Sequence, residues 1–397
     1  MIRAALLFGG RSAEHEVSIL SARSVAKAAP PDRVEFVPIF VTKDGHFTDP
    51  ELSAAILVGA EARPSPGPSG HPLPKGEGRE ETTPSPSGRG CREAAGEGRA
   101  PAQSTFSFES WIRDANLDIV FPLIHGTGGE DGALQGYLET LGVPYAGSGV
   151  TASAVGMDKH HMKQAFAAAK LPLVDYVPVT EPDWKNERDR VTRSVVNAMR
   201  LPYFVKPANS GSSVGVSKVK NDRELAPAIE LALRFDEKVL VERGIDAREI
   251  EVAVLGNDQP EASVPGEIVA GRDFYDYEDK YIENKSQLVI PAKLTKEKSE
   301  EIRKIAVSAF KAVGAAGFSR VDFFVERGTN RLYLNEINTI PGFTNISMYP
   351  KLWEATELKY PRLIERLLEL GIERSRARAA RRAKAMEWFE SVKSLTS

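Results

Sequence analysis

The chain has 397 residues, 42% of them hydrophobic and 27% charged, with a formal net charge of −3. That length suggests two or three domains, each able to bury its own core. The charge gives no reason to expect a nucleic-acid partner. A single cysteine, Cys91, excludes an internal disulfide framework and fits a reducing compartment. No apolar run approaches the ~20 residues of a membrane helix. Together these features suggest a cytoplasmic protein with no membrane partner.

In chain order, Ala4–Phe8 is a strand running into Gly9-Gly10, with a helix expected over about Ser18–Ala29 and a second strand over Val34–Val41. This βαβ rhythm implies a parallel sheet with helices on its faces. The stretch Pro64–Pro101 is different in kind. It holds 8 of the 26 prolines and 8 of the 32 glycines, and no aromatic residue. Such a segment buries too little apolar surface to offset its ordering entropy, so residues 62–103 read as a disordered surface insertion. Cys91 lies inside it, which argues against a catalytic thiol. Leu117–Pro122 is a strand followed by a glycine-rich loop, and a helix starts near Lys159. Beyond Pro202 the pattern changes to alternating strands: Tyr203–Lys206, Val214–Val219, Val239–Glu242, Ile250–Leu255, Phe318–Val325 and Leu332–Asn338. A helix over Leu294–Val313, capped by Thr295, interrupts them. Arg374–Lys384 carries six basic residues among alanines and reads as a solvated terminal helix.

The chemistry concentrates near the C-terminal end. Arg320 and Asp322 are two apart in one strand and share a face, as do Glu336 and Asn338 in the next. A short turn at Gly328 makes the two strands a hairpin, which brings Asp322, Glu336 and Asn338 together. Two carboxylates and an amide oxygen suit Mg²⁺ that also holds phosphates. The following loop, Thr339–Thr344, contains Gly342, whose backbone N–H can approach a ligand closely. Lys206 ends a strand and opens the Gly/Ser loop 207–215. No helix follows that loop, so it is not a P-loop, but its N–H groups can fold over phosphates. His125 and Gly126–Gly132 follow a buried strand, as do Gly9–Glu16, at the strand end where parallel sheets bind ligands. Phe274–Tyr281, dense in aromatics and charges, suggests a lid.

Taken together, these segments resemble the D-alanine–D-alanine ligase family of the ATP-grasp fold. The resemblance rests on GGRSAEHEVS at 9–18, HGTGGEDG at 125–132, MDK at 157–159, KPANSGSSVGV at 206–216, YDYEDKY at 275–281, GFSRVDFF at 317–324 and NEINTIPGFT at 335–344. It implies an α/β and α+β architecture: an N-terminal Rossmann-like parallel-sheet domain (1–147), and two ATP-grasp subdomains (148–241 and 242–371) that sandwich ATP. A basic helical tail (372–397) follows. The implied reaction is ATP-dependent joining of two D-alanine molecules through a D-alanyl phosphate, for peptidoglycan precursors. The alternatives are D-alanyl-D-lactate or D-alanyl-D-serine synthesis, or a catalytically silent ATP-binding regulator on the same fold.

By the same resemblance, Lys159 and Lys206 contact ATP phosphates, and Ser212, Ser213 and Lys280 also belong to the ATP-binding set. Glu242 and Glu249 hold the adenine side and the ribose. Asp322, Glu336 and Asn338 ligate two Mg²⁺ ions, for which Mn²⁺ can substitute. Glu16 binds the ammonium of the first D-alanine, and Arg320 with the Gly342 N–H forms the oxyanion hole. Ser347 and Lys280 hold the carboxylate of the second D-alanine, and Met348 is among the substrate-binding residues. Tyr281, Ser212 and Glu16 form a triad that positions the lid, and His125 assists deprotonation of the incoming amine. The pair Lys280-Tyr281 favours D-alanine over D-lactate as second substrate. A homodimer is expected. The insertion and the basic tail are departures from the family's usual core.

Overall fold

The computed structural model describes residues 1–59, 106–211, 214–269, 287–344 and 346–396. The insertion with Cys91 lies outside the described residues, as do Ser212, Ser213, Lys280 and Tyr281.

The first sheet is parallel, in the order β2-β1-β3, from β1 (Ile2–Gly9), β2 (Val34–Val41) and β3 (Ile119–Pro122). β1 is fully buried from Ala4 to Phe8, as expected of an apolar run with helices on both faces. Helix α1 (His15–Ala28) begins three residues earlier than the sequence suggests. Its Ser18 explains the close docking. The hydroxyl accepts from the Gly9 N–H at 2.8 Å and donates to the Leu123 carbonyl at 2.6 Å. It thereby ties the carboxyl ends of β1 and β3 to the first turn of α1. Helices α2 (Pro50–Val58), α3 (Phe108–Asp114) and α4 (Ala133–Thr140) complete this region. Then α5 (Val150–Met157) and α6 (Lys159–Ala168) lead away, with Asp158 capping α6 through the His160 and His161 N–H groups.

The second sheet is antiparallel, in the order β4-β7-β5-β6. It contains β4 (Tyr176–Thr180), β5 (Tyr203–Pro207), β6 (Ser217–Val219) and β7 (Lys238–Arg243), with α7 (Glu181–Asn186), α8 (Arg188–Ala198) and α9 (Leu225–Ala232) packed around it.

The third sheet has the order β11-β10-β8-β12-β13, with β9 beside β8. Its strands are β8 (Ala247–Gly256), β9 (Glu261–Ala262), β10 (Gly266–Val269), β11 (Gln287–Val289), β12 (Gly317–Glu326) and β13 (Leu332–Asn338). One face is apolar. Ile250, Val252, Val254, Val321, Phe323, Val325 and Ile337 pack on Ile302, Ala306, Ala309 and Phe310 of α10 (Lys296–Ala312). Thr295 caps that helix through the Lys298 N–H, as the sequence indicates. The register between β12 and β13 shifts after Asp322: Asp322 faces Glu336, but Phe323 faces Leu334. Asn335 is therefore a bulge residue. It lets Leu332 and Leu334 enter the core while Glu336 and Asn338, of the same parity in the sequence, face the other way.

Helices α11 (Met348–Glu354) and α12 (Tyr360–Thr396) follow. The basic tail continues α12 without a break. Its first turns are not merely solvated: the Arg374 guanidinium stacks 4.4 Å from the Tyr145 ring centre, and Arg378 Nη2 donates to Glu139 at 2.8 Å.

The first and third sheets share a core. Phe121 of β3, Phe318 of β12, Phe343 and Tyr349 form an aromatic cluster with ring centres 5.4–6.1 Å apart. Phe318 is fully buried at the join. Replacing it by alanine (Phe318→Ala) is expected to lower stability by about 3–5 kcal/mol. Urea unfolding should show an earlier midpoint for that variant.

Candidate active site

A cavity of about 1060 Å³ opens between the sheets. Most of the residues singled out in the sequence line it: His125, Lys159, Lys206, Glu249, Arg320, Asp322, Glu336, Asn338, Gly342, Ser347 and Met348.

Its floor is the polar face of the third sheet. Strand register places Glu251 opposite Asp322, Asp322 opposite Glu336, and Arg320 opposite Asn338. Residues opposite one another share a face, so four charged side chains and an amide converge there. Arg320 holds this face together. Its Nε and Nη2 each donate to Asp322 at 2.7 Å, and Nε lies 3.0 Å from Glu251. Burial alone would lower the Arg320 pKa, but Asp322 and Glu251 outweigh it and keep the guanidinium charged. Asn338 donates its NH₂ to Asp322 at 3.0 Å, so its amide oxygen keeps the capacity to meet a cation. Among the described residues no group of three His, Cys, Asp or Glu side chains forms a metal site by itself. The donor set here is mixed, and its hard oxygens fit a divalent cation whose other ligands are phosphate oxygens.

One wall carries the lysines. Lys159, at the start of α6, donates to the Ser210 carbonyl at 2.6 Å and lies 4.0 Å from Glu336. Lys206, on β5, donates to Glu242 of β7 at 2.6 Å. Glu242 is buried behind Lys206 and does not line the cavity. A residue not foreseen from the sequence, Lys163 of α6, approaches the other oxygen of Glu242 at 3.0 Å. Burial would raise the Glu242 pKa, yet the two lysines hold it down at about 2.

The opposite wall comes from the first domain, and here the structure corrects the sequence. Glu16 points away from the cavity, is largely exposed and pairs with Lys43 at 3.0 Å. It sits on the outer face of α1, so neither the ammonium role nor the lid triad fits its placement. Glu14, two residues earlier and just before the helix, lines the cavity instead. A Cβ on Gly126 would come within 2.8 Å of the Glu14 carboxylate, and one on Gly211 within 2.9 Å. Two loops thus rely on glycine to seat this carboxylate.

His125 is buried and spoken for on both nitrogens. Nδ1 lies 3.0 Å from the Ile340 carbonyl and Nε2 lies 3.0 Å from the Ser21 hydroxyl. That hydroxyl also accepts from the Phe343 N–H at 3.3 Å. Burial would lower the His125 pKa, but Glu130, Glu14 and the Ile340 carbonyl together raise it. Glu130, 3.7 Å from Nδ1, was not singled out in the sequence. The placement makes His125 a strap between β3 and the loop carrying Gly342, rather than a base aimed at an amine. In that loop, Ser347 Oγ accepts from the Thr344 N–H at 3.0 Å. A Cβ on Gly342 would come within 2.8 Å of Ser347 Oγ.

Two family models match the chain: the D-ala D-ala ligase N-terminus over residues 3–148 and the D-ala D-ala ligase C-terminus over residues 165–369. A D-alanine–D-alanine ligase of Chlorobaculum tepidum is 46% identical over 373 residues, covering 93% of this chain and 96% of that protein. One from Halothermothrix orenii is 45% identical, covering 94% and 98%. Among solved structures, the D-alanine–D-alanine ligase of Coxiella burnetii aligns with a TM-score of 0.73 at 33% identity, covering 98% of each chain. The VanG D-Ala:D-Ser ligase of Enterococcus faecalis aligns at 0.71 and 28%, covering 93% of this chain and 99% of that one. The cavity between the sheets, with its lysine wall and acidic floor, is that of an ATP-grasp enzyme, and the chain belongs to the D-alanine–D-alanine ligase family.

Proposed function

We propose that this protein uses ATP and a divalent cation to activate one D-alanine as an acyl phosphate and couple it to a second. The observation that carries this reading is the single cavity that joins Arg320, Asp322, Glu336 and Asn338 on its floor to the lysines 159 and 206 on its wall. The cation is Mg²⁺, two ions held by Asp322, Glu336 and Asn338, with Mn²⁺ able to substitute. It would supply charge neutralisation for phosphoryl transfer. Lys159 and Lys206 bind the phosphates, Glu249 faces the ribose, and Glu242 stands behind the adenine side.

A carboxylate resists amine attack until it is phosphorylated. The attack then builds a tetrahedral anion, which Arg320 and the Gly342 N–H would stabilise. The first D-alanine's ammonium needs a fixed anion on the first-domain wall; of the two carboxylates there, Glu130 lies against His125, and Glu14 takes this role. Ser347 and Met348, beside Gly342, border the second amino acid. Ser212 and Ser213 over the phosphates, and Lys280 and Tyr281 in the lid, complete the assignment on sequence grounds. Tyr281 and Ser212 then have Glu14, not Glu16, as third partner. The preference for D-alanine over D-lactate rests on the pair Lys280-Tyr281. The sheet grouping supports division of the chain near 148 and 242, since the second sheet spans 176–243 and the third 247–338. Residues 372–397 form a tail beyond the family core. Two such subunits form the working dimer, in the cytoplasm.

ADP release should require D-alanine, and the product should be D-alanyl-D-alanine when D-alanine, D-serine and D-lactate compete. ADP release indifferent to D-alanine would point to the silent regulator; a depsipeptide or D-serine product would point to the alternative ligases. Glu14→Gln should lower kcat/KM for D-alanine by about 100-fold or more, while Glu16→Gln should stay within about twofold of the parent. The reverse ranking would return the ammonium role to Glu16. Arg320→Lys, which keeps a positive charge beside Asp322 and Glu251, should reduce kcat by about 100–1000-fold, the loss typical of one oxyanion donor.

A further inference from the structure

The buried charges behind Lys206 outnumber what a phosphate-binding lysine needs. Glu242 stands in the middle of the second sheet, opposite Tyr176 on β4 and Phe204 on β5. One oxygen takes Lys206 at 2.6 Å; the other faces Lys163 at 3.0 Å. The two ammonium groups differ in outlook. The Lys163 side chain is 1% exposed, whereas that of Lys206 is 15% exposed and borders the cavity. Lys163 reaches the carboxylate from α6, past the Tyr176 ring, whose centre is 5.6 Å away. It does not line the cavity and cannot touch the nucleotide's phosphates from there.

A buried carboxylate with one ammonium partner makes a neutral pair and holds that partner firmly. With two partners, the cluster carries a net charge of +1. Lys163 is sealed in, so the surplus is expressed where the cluster meets solvent, at Lys206. Resting on the ATP-site reading above, we propose that Lys163 is a positioning residue. It neutralises Glu242 from the side away from the cavity and so leaves the charge of Lys206 available to the triphosphate. The alternative is a packing role for the Lys163 stem, which would affect adenine and phosphate binding alike.

The test is calorimetric binding of Mg·ATP and of adenosine to the full chain. Lys163→Met keeps the length and volume of the side chain but removes its charge. It is expected to weaken ATP by about tenfold or more and to leave adenosine within about twofold. Equal weakening of both ligands, or of neither, overturns the proposal. Glu242→Gln is the reciprocal variant and covers the case in which Lys163→Met fails to fold. It releases both ammonium groups, so the ratio of ATP to adenosine affinity should rise by about threefold or more, whatever is lost at the adenine. An unchanged or lower ratio overturns the proposal. A parent protein that bound neither ligand would instead reject the ATP-site reading.

Discussion

The active site depends on one electrostatic constraint: a sheet face that carries Glu249, Glu251, Asp322 and Glu336 must be held together by buried cations. Like charges on adjacent strands destabilise a sheet. Arg320 relieves this by binding Asp322 through two nitrogens and Glu251 through one. The arrangement is costly to bury and gains little net stability over an apolar core. Its use is geometric. Two carboxylates fix the guanidinium plane, so its donors are aimed before any substrate arrives. Glu251 matters for this, because it keeps Arg320 paired whatever else Asp322 engages.

The other face of the same sheet explains how so much charge is tolerated. The strands pack on α10 through Ile250, Val252, Val321 and Phe323, which are essentially fully buried. That apolar half stabilises the sheet, and the polar half is free to serve chemistry. The bulge at Asn335 is the device that keeps the halves apart on β13. Without it, Leu332 and Leu334 would share a face with Glu336 and Asn338. Either two leucines would enter the cavity or two polar groups would enter the core. One extra residue resolves that conflict beside Glu336 and Asn338.

These particulars show what could be read from residues alone. β2 runs over the expected Val34–Val41, and the Arg320/Asp322 and Glu336/Asn338 pairs lie on the cavity face as period-2 alternation requires. The bulge leaves one mark, the change of apolar parity between Leu334 and Ile337, but local alternation does not say which residue is the extra one. Glu14 and Glu16 differ by two positions around a helix start. The sequence marks both as acidic groups after a strand, and only the entry angle of α1 decides which one faces the cavity. Ser18 sets that angle through Gly9 and Leu123, a contact spanning over a hundred residues. Lys163 was invisible for a different reason. In α6 it reads as one more polar helix residue, and only the packing of α6 on β13 and α10, with Tyr176 and Glu242 meeting its side chain, buries it.

The His125 strap follows the same logic as Arg320, applied to a loop. The loop at 339–344 must present the Gly342 N–H at a fixed point, yet it has no regular structure to hold it. Two long-range hydrogen bonds do so: Ile340 to His125, and Phe343 to Ser21. Ser21 also meets His125, so the three groups form a continuous buried chain from α1 through β3 to the loop. A raised His125 pKa strengthens the contact to the Ile340 carbonyl, since an imidazolium is a better donor. The cost is that the same ring has no nitrogen left to take a proton from an amine. Positioning and base catalysis compete for one side chain here, and the partners on both His125 nitrogens favour positioning.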